Sequence, residues 1–337
     1  MIKTISLVTL TTTLLMASSL TKDAANAGLV PIPASNAELL KLIDPKGLIT
    51  DAKIELGKKL YFDPRLSKSG FISCNSCHNL GEGGDDGIAA AVGHKWTVNP
   101  HHLNSPSVYN AVFNDKQFWD GRSPDLEDQA QGPIQAAPEM AATKEHVSAV
   151  VNSMPAYLAE FKNAYGKDVN VTFEKITDTI GLFERTLVTP SAFDDFMNGD
   201  ENALSKEEKA GLQTFITVGC ATCHNGVGVG GGMNSLNVTA TYKHMNVGDF
   251  KGDANGMVRV PTLRNVTQTA PYFHNGQIVT LKEAIVEMGR IQLGTAITDA
   301  QASSIEDFLK ALEGRKPKID FPMLPTSSAT TPKPDLN

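Results

Sequence analysis

The chain of 337 residues contains four cysteines, and all four fall in two copies of one five-residue pattern. The copies are Cys74-Asn75-Ser76-Cys77-His78 and Cys220-Ala221-Thr222-Cys223-His224. C-x-x-C-H is the attachment signature of c-type haem. Both thiols add to the haem vinyl groups as thioethers, and the adjacent histidine reaches the iron as proximal ligand. One tight turn must therefore present two sulfurs to a porphyrin edge and an imidazole to its face. A single C-x-x-C would fit a redox dithiol or half a zinc site equally well. Two copies, each followed by His, with no cysteine left over, select two covalently bound haem c groups. The fold must build a haem pocket around each turn.

The N-terminus reads as an export leader. Lys3 supplies the positive start, Ile5 to Leu20 is an apolar run broken by threonines and serines, and Ala25-Asn26-Ala27 is an A-x-A cleavage site. The leader is thus expected over 1–27, with the mature chain starting at Gly28. The run is too short and too rich in threonine for a membrane span, so no stable membrane insertion is expected. Haem attachment of this kind takes place outside the cytoplasm, which points to the periplasm. About 310 remaining residues suffice for two domains with their own cores. A formal charge of -7 argues against nucleic acid as partner.

Helix signals dominate. Ser205-Lys-Glu-Glu208 is a capping box that leads a helix into the second haem motif. Thr280 caps a helix carrying Ala284, Ile285 and Met288. Thr298 opens another through Ile305, Phe308, Leu309 and Leu312, with Gly314 as its stop. Thr172 and Thr143 begin two further apolar-periodic runs. Strand signals are sparse, and segments rich in Gly and Pro surround both motifs. The expected fold is mainly α, with two cytochrome c-like haem domains, long loops and little β structure. The domains are expected over 28–188 and 189–315, divided near Val188-Thr189-Pro190, where a helical run meets a proline. The tail 316–337, rich in Pro, Ser and Thr, reads as an extended or loose strap.

Several blocks stand in a specific order. Leu56 to Ser67 precedes the first motif. Phe118-Trp119-Asp120-Gly121-Arg122, Gly132-Pro133-Ile134 and Pro138-Glu139-Met140 follow it. Then come Glu184-Arg185-Thr186-Leu187, Pro261-Thr262-Leu263-Arg264-Asn265, Ala270-Pro271-Tyr272-Phe273-His274 and the Met288 helix. In these blocks the chain resembles the bacterial di-haem cytochrome c peroxidases over nearly its whole mature length. The related quinone-cofactor maturation enzymes share several blocks. They carry a tyrosine where this chain has Met288, which favours the peroxidase.

The resemblance implies roles. His78 is the proximal and His94 the distal ligand of a low-potential haem in the N-terminal domain, where peroxide reacts. His101 and His102 are the other candidates in that loop. His224 and a methionine hold a high-potential, electron-receiving haem. A thioether ligand raises the potential, and Met233, Met245, Met257 and Met288 are the candidates. Met288 stands where the family carries the ligand. Glu139 matches the catalytic glutamate that moves a proton between the peroxide oxygens; by itself it reads rather as a solvated acid at a helix start. Gln129 and Gln135 are weaker candidates for the same pocket. Trp119 is implied to lie between the haems, on the electron path, although large aromatics more often fill cores.

The family also holds Ca²⁺ between its domains, here through the Asn104 side chain and the carbonyls of Thr269 and Pro271. Oxygen donors of this kind suit that ion. This chain departs from the family in a longer stretch between His94 and Asn104, and in Leu103, which stands where a basic residue is common. The implied activity is reduction of hydrogen peroxide with electrons from a small cytochrome c or cupredoxin, by a homodimer. A pure di-haem electron carrier and a maturation oxidase are the alternatives. His146, His244 and His274 read as structural, and the Gly226 to Gly232 loop as a haem-edge loop.

Overall fold

A computed structural model describes residues 19–337. Lys3 and most of the apolar leader run lie outside the described residues. The protein is built on two helical cores that share a tightly bonded seam.

The first core packs the helices Asp51–Phe62, Lys144–Asn152, Pro155–Tyr165 and Phe173–Glu184. Thr172 caps the last of these, its hydroxyl accepting from the Lys175 N–H at 3.2 Å. Ile176, Ile180 and Phe183 recur at helical spacing and are buried against Leu56 and Leu60. Each fully buried side chain of this kind contributes about 1.5–3 kcal/mol. The two helices approach so closely at Gly57 that a Cβ there would lie 2.3 Å from the Thr179 carbonyl oxygen. Only glycine permits that contact. It also places Tyr61, whose hydroxyl donates to the His78 carbonyl at 2.6 Å. Core packing thereby fixes the first haem turn.

The second core packs Ala192–Met197, Lys206–Val218, Leu281–Met288 and Asp299–Lys310. The Ser205 box forms as expected, with Glu208 and Ser205 capping each other's backbone at 2.7 and 3.1 Å. Thr298 and Gln301 form the same device. Gly211 lets the long helix cross its neighbour, since a Cβ would meet the Ser304 carbonyl oxygen at 2.1 Å. Arg264 and Asp194 form a fully buried bidentate pair at 2.8 Å.

A helix over residues 19–26 also belongs to this core. Leu20 is 9 % exposed and Ala24 fully buried, packed with Leu29 among the residues of the second core. Cleavage after Ala27 would strip both from it.

Between the cores, Asn110 and Asn265 each take a left-handed backbone conformation, with φ of 62° and 61°. Their side-chain amides converge on the Thr189 hydroxyl at 2.8 and 2.9 Å. Val188-Thr189-Pro190 therefore lies in a bonded knot with Thr189 fully buried, unlike an exposed linker.

Among the described residues strand content is confined to Met233–Ser235 paired antiparallel with Met257–Arg259, apart from isolated bridges. The tail is extended and pinned. Phe321 meets Phe62 edge to face at 5.0 Å, Arg65 donates to the Pro325 carbonyl at 2.7 Å, and Thr331 meets Ser153 at 2.7 Å. The chain thus returns from the second core to the first. Among the described residues no helix is long and apolar enough to cross a membrane.

Candidate haem centres and peroxide site

Each C-x-x-C-H forms a turn of the required kind. In the first, the His78 N–H donates to the Cys74 carbonyl at 2.9 Å. The His78 ring nitrogen Nδ1 lies 2.9 Å from the Pro106 carbonyl oxygen. A carbonyl only accepts, so Nδ1 carries the proton and Nε2 is left bare as a ligand. In the second, the long helix ends at Gly219, whose φ of 102° turns the chain sharply into Cys220. The His224 N–H then donates to the Cys220 carbonyl at 3.0 Å. Burial pushes the His224 imidazole down to about 4, against the nearby carbonyls of Pro261 and Val229. It is neutral, as an iron ligand must be.

Three of the thiols are shifted away from the reactive range. All four are free. Burial pushes Cys77 up to about 12 and Cys220 up to about 11, and raises Cys74 as well. Redox dithiols and zinc thiolates require the opposite shift. Among the described residues no cluster of three or more His, Cys, Asp or Glu could hold a metal ion.

Of the four methionines, Met288 alone lines the large cavity that also contains Cys220, Cys223 and His224. Met257 accepts instead from the Ser235 hydroxyl at 3.6 Å, and Met245 from the Asn237 amide at 3.7 Å. Met233 lies against Gly121. The helix switches to a π turn over Gly289–Leu293 immediately after Met288. Such bulges re-aim side chains at functional sites.

In the His94 loop the three histidines separate cleanly. The His101 ring pairs with Asp249 at 2.9 Å, and His102 meets the Gln277 amide at 3.1 Å. His94 is buried, and its Nδ1 has no partner. Burial, with Lys68 and Lys95 nearby, pushes its imidazole below the usual histidine range. The loop is held tightly. Lys95 and Trp96 both take positive φ, 60° and 56°.

His94 and Glu139, far apart in sequence, are tied together. The His94 N–H donates to the Glu139 carbonyl at 2.7 Å. Glu139 sits in a turn closed by its own N–H on the Ala136 carbonyl at 3.0 Å, and the next helix starts at Lys144. The reading of Glu139 as a solvated helix-start acid therefore does not hold. Burial raises its carboxyl above the usual range, with Arg122 and His101 pulling the other way. It lies close enough to the first haem motif to push the Cys77 thiol up. Gln129 is partly buried and Gln135 exposed.

Gly93 permits this junction. A Cβ there would lie 2.1 Å from the Pro138 carbonyl oxygen. Gly93→Ala is expected to destabilise the protein by about 1–3 kcal/mol through overpacking and to part the His94–Glu139 bond. A thermal melt and a cyanide titration of the oxidised protein check this. The variant should melt earlier and bind cyanide faster than the parent.

The remaining candidates meet at the seam. The Trp119 indole N–H donates to the Asn104 carbonyl at 2.9 Å, and its ring stands edge-on to His274 at 6.4 Å. The Asn104 N–H donates to the His274 carbonyl at 2.8 Å. The Asn104 side-chain amide donates to the Pro271 carbonyl at 2.8 Å, and Thr269 lines the same cavity. His274 is buried with Nε2 unpartnered, and burial pushes it down to about 4.

A duplication that the sequence reading missed explains this convergence. Pro106, Asn110, Phe118, Gly121 and Leu126 recur at the same spacing as Pro261, Asn265, Phe273, Gly276 and Leu281. Both asparagines, both phenylalanines and both of these glycines take positive φ, and the bridges Gln117↔Ser123 and Tyr272↔Ile278 correspond. In this register His274 is the counterpart of Trp119, and Arg259 of Asn104. Comparing the two halves of the sequence would have found it.

The family model described as di-haem cytochrome c peroxidase matches residues 51–202. A cytochrome c551 peroxidase of Nitrosomonas europaea is 48% identical over 287 residues, covering 83% of this chain and 85% of its own. The cytochrome c551 peroxidase of Pseudomonas aeruginosa is 43% identical over 325 residues, covering 93% and 92%. Among solved structures, a MauG-like protein associated with microbial copper homeostasis superposes with a TM-score of 0.68 at 24% identity, covering 85% of this chain and 93% of that one. That likeness shows the fold.

Proposed function

The chain belongs to the di-haem cytochrome c peroxidase family, and from this premise we propose which residues carry the reduction of hydrogen peroxide. The observation that carries the reading is the backbone bond between His94 and Glu139. It gathers a candidate distal ligand and a candidate acid-base group beside the first haem motif.

The residues fit two haem groups. Cys74 and Cys77 would hold the first covalently, with His78 and His94 as ligands. Cys220 and Cys223 would hold the second, with His224 and Met288. When bound, the pair supplies one centre that accepts electrons and one at which the peroxide bond is cleaved. Glu139 takes the proton from one peroxide oxygen and returns it to the other. Two protons from solvent and two electrons then complete two waters. His94 blocks access to the first site until its loop moves, and that movement must part its bond to Glu139. The redox partner is a small cytochrome c or a cupredoxin. Trp119 lies on the electron path, a role supported by its place on the cavity wall at the seam.

Asn104, Thr269 and Pro271 would give Ca²⁺ oxygen donors from both cores. Their convergence supports this, and the Asn104 amide would turn its oxygen inward. The protein works as a periplasmic homodimer on this reading. Its leader is proposed to end before Leu20 rather than after Ala27, because Leu20 and Ala24 are buried in the second core. N-terminal sequencing of the exported protein should start at or before Leu20. A start at Gly28 would refute that boundary.

The function is tested by following peroxide consumption with a reduced cytochrome c or cupredoxin. The expected stoichiometry is two donors oxidised per peroxide, in a protein whose mass carries two haems. Electron transfer without peroxide consumption would leave a pure electron carrier.

A further inference from the structure

The seam contains a buried cation without an anion. Arg259 is 3 % exposed. Its Nε donates to the Phe118 carbonyl at 3.2 Å, and its guanidinium lies 5.6 Å from the Trp119 ring centre. Among the described residues no carboxylate pairs with it. Arg264, a few residues on and equally buried, shows what this protein does with such a group: Asp194 grips it with two bonds. Burial alone pulls the Arg259 guanidinium down to about 10, so it is still charged at neutral pH. A buried charge left unpaired is strongly unfavourable. Cation–π attraction to Trp119 offsets only a part of that. The missing partner must be an anion that arrives after the chain is made.

Position identifies the anion. Arg259 lines the cavity that holds Cys220, Cys223, His224 and Met288. The antiparallel pairing with Met233–Ser235 fixes it there, Arg259 standing opposite Met233. Its backbone N–H donates to the Trp119 carbonyl at 2.8 Å. The cofactor for that cavity carries two propionates, and a guanidinium grips a carboxylate with two parallel bonds.

We propose that Arg259 binds a propionate of the second haem and, by holding that charge beside Trp119, raises this haem's potential and sets the orientation of its edge toward the first. The proposal rests on the two-haem reading. A cation at the propionate disfavours the extra positive charge of the ferric state relative to the ferrous one, and this favours reduction. Arg259 is thus a positioning residue that acts through the cofactor.

The test uses the full-length, haem-loaded protein with Arg259→Gln and Arg259→Lys. Intact mass is read first; a chain without haem at Cys220 and Cys223 in the parent would sink the two-haem reading, separately from this one. Spectroelectrochemistry should then show the second haem's reduction equilibrium falling about tenfold in the Gln variant, which is 59 mV for one electron. The Lys variant should keep most of the parent potential. Resonance Raman should show the propionate bending band moving in both. An unchanged potential in the Gln variant, or a shift confined to the first haem, overturns the assignment. If the Gln variant does not accumulate, the Lys variant decides by its Raman band, and an unmoved band overturns it.

Discussion

Glu139→Gln is expected to cut peroxide turnover by about 10²–10⁴-fold, the usual worth of a general acid-base group. The substitution keeps size and shape but removes the proton acceptor. The backbone bond from His94 to Glu139 does not involve the side chain, so loop and haem spectra should be unchanged. Burial holds this carboxyl above its usual range, and only the ionised form accepts a proton. Turnover should therefore fall as pH drops through a raised value, and that acidic limb should vanish in the variant. Steady-state assays across pH read both effects. Turnover within about twofold of the parent would return Glu139 to a structural role.

Met288→His should act on the other centre. Replacing the thioether by an imidazole lowers the potential, by on the order of 0.1 V within the roughly 0.8 V range that axial ligands control. A donor of ordinary potential would then fail to load the second haem, and turnover would collapse although Glu139 and His94 are untouched. Potentiometry reads the shift. An unchanged high-potential wave would point to another methionine, against the place of Met288 as the candidate lining the His224 cavity.

What could be read from the sequence was local. The helices opened by Thr143, Thr172, Ser205, Thr280 and Thr298 begin where their caps stand, because a cap satisfies its own neighbours within three residues. The haem turns were legible for the same reason. Asp51–Phe62 was not read as a helix. Its buried end, Leu60-Tyr61-Phe62, is apolar all round and shows no stripe. Pro155–Tyr165 starts on a proline behind Met154 rather than on a side-chain cap.

Tertiary facts were out of reach. The His94–Glu139 bond joins two backbones, and no residue type announces it. Gly93 looks like any loop glycine until Pro138 is set against it. Arg259 looks like an ordinary surface arginine in sequence, and only its burial without a carboxylate marks it. The proposed leader boundary before Leu20 also rests on packing: A-x-A is a short pattern that Ala25-Asn26-Ala27 satisfies by composition, while Leu20 and Ala24 pack inside the second core.

We propose that the two haems are unequal, with electrons entering at the Met288 centre and peroxide reacting at the His94 centre once His94 departs. The electron must shift the His94 loop through the seam, since it can move a conformational equilibrium only by its different interaction with the two states. Electron paramagnetic resonance of the half-reduced protein with calcium present tests this most directly. Fully oxidised, both haems should be low-spin. One electron per chain should remove the Met288 haem's signal and turn the His94 haem high-spin. A His94 haem that stays low-spin at half reduction while peroxide turnover continues would contradict the claim.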